Sequence, residues 1–130
     1  MIRRAFLALL LVSLMATGLT AGGRWEVLGE RQVNDRLDHD TIMVTGAKGT
    51  FKSIRLEVRR HSVDFHRVVI HFADGEDQRV EMRHTIPAGG ETRAIDLEGR
   101  NRIIRSIDLW YDANTLRHGG SATVFVTGRH

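Results

Sequence analysis

Aliphatic and aromatic side chains recur at every second position in segment after segment of this chain. Ile54, Leu56 and Val58 alternate with Arg55, Glu57 and Arg59; Val68, Ile70 and Phe72 share one parity, and so do Ile107, Leu109 and Tyr111. Side chains of a strand point to opposite faces in turn, so this spacing describes strands with one apolar and one wet face. A helix would need a period near 3.6 between capping residues, and no segment offers one. The most patterned stretch, Arg93 to Asp112, contains the triplets Ile95-Asp96-Leu97 and Ile107-Asp108-Leu109 around an arginine-rich middle. It is expected to supply two core strands whose arginines and aspartates pair across the wet face.

Parity makes sharper demands at two places. If Val68, Ile70 and Phe72 must face Val80 and Met82, then Ile70 stands opposite Val80 and Val68 opposite Met82. This requires a three-residue Asp74-Gly75-Glu76 turn with Gly75 at positive φ. The same register sets His66 opposite His84. In the second triplet strand, the core parity of Ile107 and Leu109 extended backwards reaches Arg105. The strand starts late, a bulge resets the register, or Arg105 is buried against a carboxylate; the buried salt bridge is the preferred reading.

Further strands are expected at Arg24 to Gly29, Thr41 to Thr45 and Ala122 to Thr127, with Glu30 to Asp40 wandering along an edge. Loops are marked by Pro87 with Gly89 and Gly90, and by Ala113 to Ser121. Seven to nine short strands with glycine-rich turns specify an all-β fold. An antiparallel, jelly-roll-like β-sandwich is expected.

The first 23 residues read differently. Arg3 and Arg4 precede an apolar run from Ala5 to Met15, and small residues follow through Gly23. That is the order of parts in a secretory signal peptide, with a cut after Ala21, Gly22 or Gly23. The apolar run is short for an uncleaved anchor, so no membrane span is expected after cleavage. Residues 24–130 then form one domain. Loss of Arg3 and Arg4 leaves 17 basic against 16 acidic residues, a net of +1 rather than +3. Such a balance gives no ground for nucleic-acid binding. No cysteine is present, so an exported domain of this kind is held together by its core alone.

Candidate sites are few. Seven histidines are present. Of these, His66 and His84, with His61 or Asp64 as a third ligand, form the one metal hypothesis with specific content. Two exposed histidines at a strand end is the simpler account. Trp110 has the opposite parity to Leu109 and so points outward beside Asp108, with Arg105 nearby. An exposed indole is a platform for a sugar ring or a partner protein. The favoured alternative covers it with the loop 113–121. Asp96 and Asp108, if opposed, would resemble a paired-carboxylate site, but solvated ion pairing accounts for them more simply. Neither a Gly-x-Ser-x-Gly frame nor a phosphate-cradling glycine loop occurs.

The order Trp25-Glu26-x-Leu28-Gly29, Phe51-x-x-Ile54-Arg55-Leu56, Val69-x-x-Phe72-x-x-Gly75 and Arg93-x-Ile95-Asp96-Leu97-x-Gly99-x-x-Arg102-x-Ile104-x-x-Ile107, with Tyr111, resembles a group of small exported bacterial proteins that are domains of unknown function. The resemblance implies a single β domain outside the cytoplasm and supplies no catalytic residues. A looser likeness to galactose-binding jelly rolls is fold analogy alone. A periplasmic or secreted, non-enzymatic binding or accessory module of the cell envelope is expected, without a cofactor. Its partner would be an envelope protein or a glycan. The alternative is a small-ligand module, taking a metal at His66 and His84 or a glycan at Trp110.

Overall fold

The computed structural model describes residues 24–44, 48–112, 116 and 120–130. The expected signal peptide and most of the loop 113–121 lie outside these residues. Nine strands are described: β1 (Trp25–Asn34), β2 (His39–Met43), β3 (Thr50–Phe51), β4 (Ser53–Arg59), β5 (Val63–Phe72), β6 (Asp77–Ile86), β7 (Ile95–Asp96), β8 (Arg102–Tyr111) and β9 (Ser121–Arg129). They form two antiparallel sheets, one ordered β1-β9-β4-β7 and one ordered β2-β8-β5-β6, with β3 also on β8. The fold is the expected all-β sandwich.

The inward rows are those that the alternation marks. Ile54, Leu56 and Val58 of β4 and Val124 and Val126 of β9 are fully buried. From the other sheet, Val68, Ile70, Ile107 and Leu109 meet them. Each such side chain contributes about 1.5–3 kcal/mol by leaving water. The polar stretch after Gly29 does not wander: β1 runs on to Asn34 and pairs with β9 throughout, with one bulge between Val27 and Gly29.

The two acidic triplets are not neighbours. Ile95 and Asp96 pair with β4 in the four-stranded sheet, whereas β8 is an inner strand of the other. Asp96 and Asp108 are therefore on different sheets, and their cross-pairing is corrected. Asp96 instead accepts a hydrogen bond from the Ser53 hydroxyl at 2.9 Å.

Arg105 is exposed. On β5, His71 stands opposite Ser106 and Phe72 opposite Ile104, so Arg105 is the extra residue of a bulge. The expected buried ion pair gives way to this alternative for a plain reason. Desolvating a guanidinium costs several kcal/mol, whereas a bulge hands it to water and leaves Ile104 and Ile107 both inside.

The β5-β6 hairpin is also shifted. The Phe72 carbonyl accepts from Gly75 N–H at 3.0 Å, and Phe72 N–H donates to Glu76 at 2.8 Å. The three-residue loop is thus Ala73-Asp74-Gly75, one residue earlier than expected. A type I turn closed by a bulge needs the left-handed residue last, and Gly75 has φ +95°. Val68 consequently faces Val80, and Ile70 faces Gln78.

Gln78, on the same parity as Val80, is a polar side chain in an inward row. Gln78 is 8% exposed, yet both ends of its amide are satisfied: it donates to the Asp96 carbonyl at 3.0 Å and accepts from Glu98 N–H at 2.8 Å. It joins β6 of one sheet to the β7 segment of the other.

Two stability predictions follow from this packing. Gln78→Leu leaves the Asp96 carbonyl and the Glu98 N–H without their partner, and is expected to lower stability by about 1–3 kcal/mol in denaturant titration. At Gly128 a Cβ would lie 2.8 Å from the Phe51 ring and 2.9 Å from Leu28 Cδ1. Gly128→Ala is expected to cost about 1–3 kcal/mol through overpacking, read as a lowered Tm.

Candidate functional site

The outer face of the five-stranded sheet carries a lattice of polar side chains set by strand register. Across it, His39 of β2 stands opposite Trp110 of β8, Trp110 opposite Arg67 of β5, and Arg67 opposite Glu81 of β6. The rings of His39 and Trp110 stack with centroids 4.3 Å apart and planes 18° apart. On the other side, the Arg67 guanidinium carbon lies 4.1 Å from the Trp110 ring centroid. Trp110 is half-buried between these two neighbours. Arg67 Nε is itself shielded from solvent and has no hydrogen-bond partner among the described residues.

Beside this stack opens a shallow cleft of about 550 Å³. Arg67, Arg79 and Arg83 line it with Glu81, Asp38 and Asp112. Arg83 is held at φ +44°, where β6 departs from regular pairing with β5. The arrangement offers guanidinium donors beside an aromatic edge, the chemistry that recognises carboxylates and mixed polar surfaces.

Two residues along the same face, Asp108 sits at the centre of a second group. It accepts from the Thr41 hydroxyl at 2.5 Å and contacts His71 Nε2 at 2.7 Å, with His39 Nε2 at 3.7 Å. His71 Nδ1 meets Asp77 at 2.6 Å, so one imidazole is held between two carboxylates. The hydrogen bond to Asp108 raises the His71 pKa; burial opposes the rise and Asp77 adds to it. For Asp108, burial disfavours the charged form, but the Thr41 and His71 hydrogen bonds and the nearby imidazoles outweigh it and lower its pKa. On the inner side, buried Tyr111 donates to Asp40 at 2.8 Å. Burial, and then Asp40, pushes its phenol above the usual range.

Trp110 and Asp108 thus share one face, as expected, while Arg105 lies at the bulge and does not line the cleft. His39 and Arg67 flank the indole, and most of the loop expected to cover it lies outside the described residues. The expected opposition of His66 and His84 is overturned by the hairpin register, because His84 pairs with Phe65 and His66 falls in a bulge. His66 lines the outer cleft, whereas His84 lines a separate gap beside Met82 and Ile95. His61 hydrogen-bonds through Nδ1 to the neighbouring Ser62 carbonyl at 2.9 Å. Among the described residues, no group of three histidines and carboxylates is placed to hold a metal ion. Reasoning from sequence missed His39, Arg67 and His71. The shared parity of Arg67 and His71 is a signal for their common face, but which strand lies beside β8 is not a local property.

The model of the family described as "Domain of unknown function (DUF2541)" matches residues 6–128. The chain belongs to this family. No curated protein matches it. Among solved structures, AlgX of Pseudomonas aeruginosa is similar with a TM-score of 0.53 and 12% identity, over 82% of this chain and 27% of AlgX. The chain therefore spans about a quarter of that protein. A mutant of CBM29-2, a family 29 carbohydrate binding module, aligns at TM-score 0.40 and 13% identity, over 81% of this chain and 91% of that one. PliG of Aeromonas hydrophila, a periplasmic lysozyme inhibitor, aligns at TM-score 0.40 and 10% identity, over 84% and 89%. The likeness to AlgX is one of fold. No helix among the described residues is long and apolar enough to cross a membrane.

The histidine between two carboxylates has a pH signature. Its raised pKa contributes stability that is complete below the ordinary value of 6.5 and is lost as pH rises through the folded value. Asp108 acts in the opposite sense, contributing above 3.8 and losing its contribution as pH falls through its lowered value. Denaturant midpoints are therefore expected to decline as pH rises above 6.5. In His71→Gln that decline is expected to shrink, and an unchanged slope would contradict the assignment.

Proposed function

We propose that this protein is an exported, non-enzymatic binding module of the cell envelope, and that its contact surface is the arginine-lined cleft beside Trp110. The observation that carries this reading is the stack of His39, Trp110 and Arg67. It presents a rigid aromatic edge next to three guanidinium groups. Tryptophan and arginine are the residues in which interface binding energy concentrates, and charged partners are oriented by such donors.

Both faces of the indole are occupied by neighbouring side chains. A sugar ring needs a free face on which to stack, so the geometry favours a protein partner bearing carboxylates over a glycan. The separation of His66 from His84 weighs in the same direction against a metal-binding role. Export rests on the ordering of Arg3 and Arg4, the apolar run and the small residues before Arg24. The non-enzymatic reading is supported by the sequence, in which neither a Gly-x-Ser-x-Gly frame nor a phosphate-cradling glycine loop occurs.

The test uses the purified protein as bait on envelope extract, followed by titration of the captured partner in purified form. Trp110→Ala and Arg67→Ala are each expected to weaken binding about tenfold or more, as for residues central to an interface. Arg105→Ala, outside the cleft, is expected to leave it unchanged. Equal binding by all three variants, or binding of glycan alone, would exclude this surface.

A further inference from the structure

The five-stranded sheet ends in β6, and its outer edge carries a charge pattern that is complementary to itself. We infer that β6 is a self-association edge, pairing antiparallel with β6 of a second copy about a two-fold axis at Val80. This goes beyond the proposed contact at Trp110 and shares with it the cleft wall of Arg79, Glu81 and Arg83.

The backbone geometry comes first. Phe72 and Glu76 form a hydrogen-bonded pair, as described above, so the alternation of an antiparallel ladder directs the N–H and C=O groups of Gln78 and Val80 towards β5. Those of Asp77, Arg79 and Glu81 therefore face outward from the sheet. No backbone hydrogen bond from these three to a loop or another strand is present among the described residues. An edge ten residues long with free backbone groups is a template for another strand. The opposite edge, β2, is different, because β1 of the other sheet lies close beside it: a Cβ on Gly29 would come within 2.6 Å of Ile42 Cγ2.

The side chains then select one register. Asp77, Arg79, Glu81 and Arg83 are all exposed, and alternate in sign along one face. Pairing about Val80 sets Arg79 opposite Glu81 of the second copy and Asp77 opposite its Arg83. By symmetry this gives four opposed ion pairs, and the outward-facing backbone groups meet one another. Moving the axis to Arg79 sets Arg79 against itself and Asp77 against Glu81. Moving it to Glu81 sets Glu81 against itself and Arg79 against Arg83. Like charges directly opposite are destabilising, so both neighbouring registers are penalised. An axis at Met82 keeps only the Glu81 and Arg83 pairs and centres the ladder next to Arg83, whose φ of +44° bends the strand.

On the inner face the same register brings Val80 against Val80 and Met82 against Gln78. Val80 and Met82 are half-buried and line the second gap, of about 460 Å³, between β6 and Ile95. Arg79 already reaches Glu81 along its own strand at 3.2 Å, and Asp77 is oriented by His71, so the charges are arrayed before association. In the dimer the two clefts, each walled by Arg79, Glu81 and Arg83, merge across the seam.

The test is sedimentation of the purified protein over roughly a hundredfold range of concentration, where mass action resolves a monomer and dimer equilibrium. Arg79→Glu or Glu81→Arg alone creates two like-charge oppositions and is expected to weaken the dimer about tenfold or more. Combining them swaps the charges and is expected to restore it. Because the protein has no cysteine, Val80→Cys reports the axis directly: opposed residues of a non-hydrogen-bonded pair lie about 4.5 Å apart, within disulfide reach. Oxidation is expected to link Val80→Cys but not Met82→Cys, whose two copies would be about 13 Å apart along the strands. A monomer at every concentration, a dimer insensitive to the single reversals, failure of the double swap to restore it, or linkage through Met82→Cys instead would overturn the proposal.

Discussion

The inner strand β8 is paired on both sides, with β2 and β3 along one edge and β5 along the other, and its side-chain parity sets the sheet. The bulge at Arg105 is taken up on the β5 side. There the register steps between His71 and Phe72, whereas on the other edge Val44 N–H donates to the Arg105 carbonyl in the unbroken register that β2 keeps with β8. Ile104 and Ile107 both remain inside, and from Ser106 onward the even residues face out. Asp108 and Trp110 reach the outer face as a consequence, so the candidate site is positioned by the way the core avoids a buried guanidinium.

Arginine is used repeatedly against aromatic rings. Arg67 covers Trp110, Arg55 lies 4.3 Å from the Trp25 ring with Arg129 at 5.0 Å, and Arg102 lies 3.8 Å from Phe72. A planar guanidinium can stack and still donate in its own plane, which an ammonium cannot do. Arg102 makes this plain: while stacked on Phe72 it bonds to Asp74, Glu76 and the Glu98 carbonyl. It ties the β5-β6 turn to the loop before β8. Phe72, Gly75 and Arg102 of the family-like pattern are therefore joined in a structural clamp, away from the cleft.

The strands themselves were legible because their cause is local. Rows such as Ile54, Leu56 and Val58 state both their conformation and their buried face. What failed needed knowledge of partners. Two triplets of similar composition belong to opposite sheets, and nothing within either says which strand it joins. The Asp-Gly turn was recognised, but its three-residue frame was centred on Gly75 rather than ending there. The error set Gln78 opposite Phe72 rather than Ile70 and created the false opposition of His66 and His84. Trp110 was correctly read as outward. Its covering by His39 and Arg67 depends on β2 and β5 flanking β8, which alternation does not encode.

A sandwich without disulfides must still fix how its two sheets close, since apolar contact alone tolerates sliding. Polar contacts do this at both open edges. At one, Asp40 of β2 takes hydrogen bonds from Arg31 of β1, in the facing sheet, and from buried Tyr111 of β8. At the other, Gln78 of β6 holds the backbone of the β7 segment from both its amide ends. Each contact joins one sheet to the other, and Asp40, Tyr111 and Gln78 are buried enough that losing their partners carries a desolvation penalty. Sliding either sheet by one residue would orphan them. The two apolar faces supply the driving force, and these two edge contacts select the alignment in which the outer face of β8, β5 and β6 is presented.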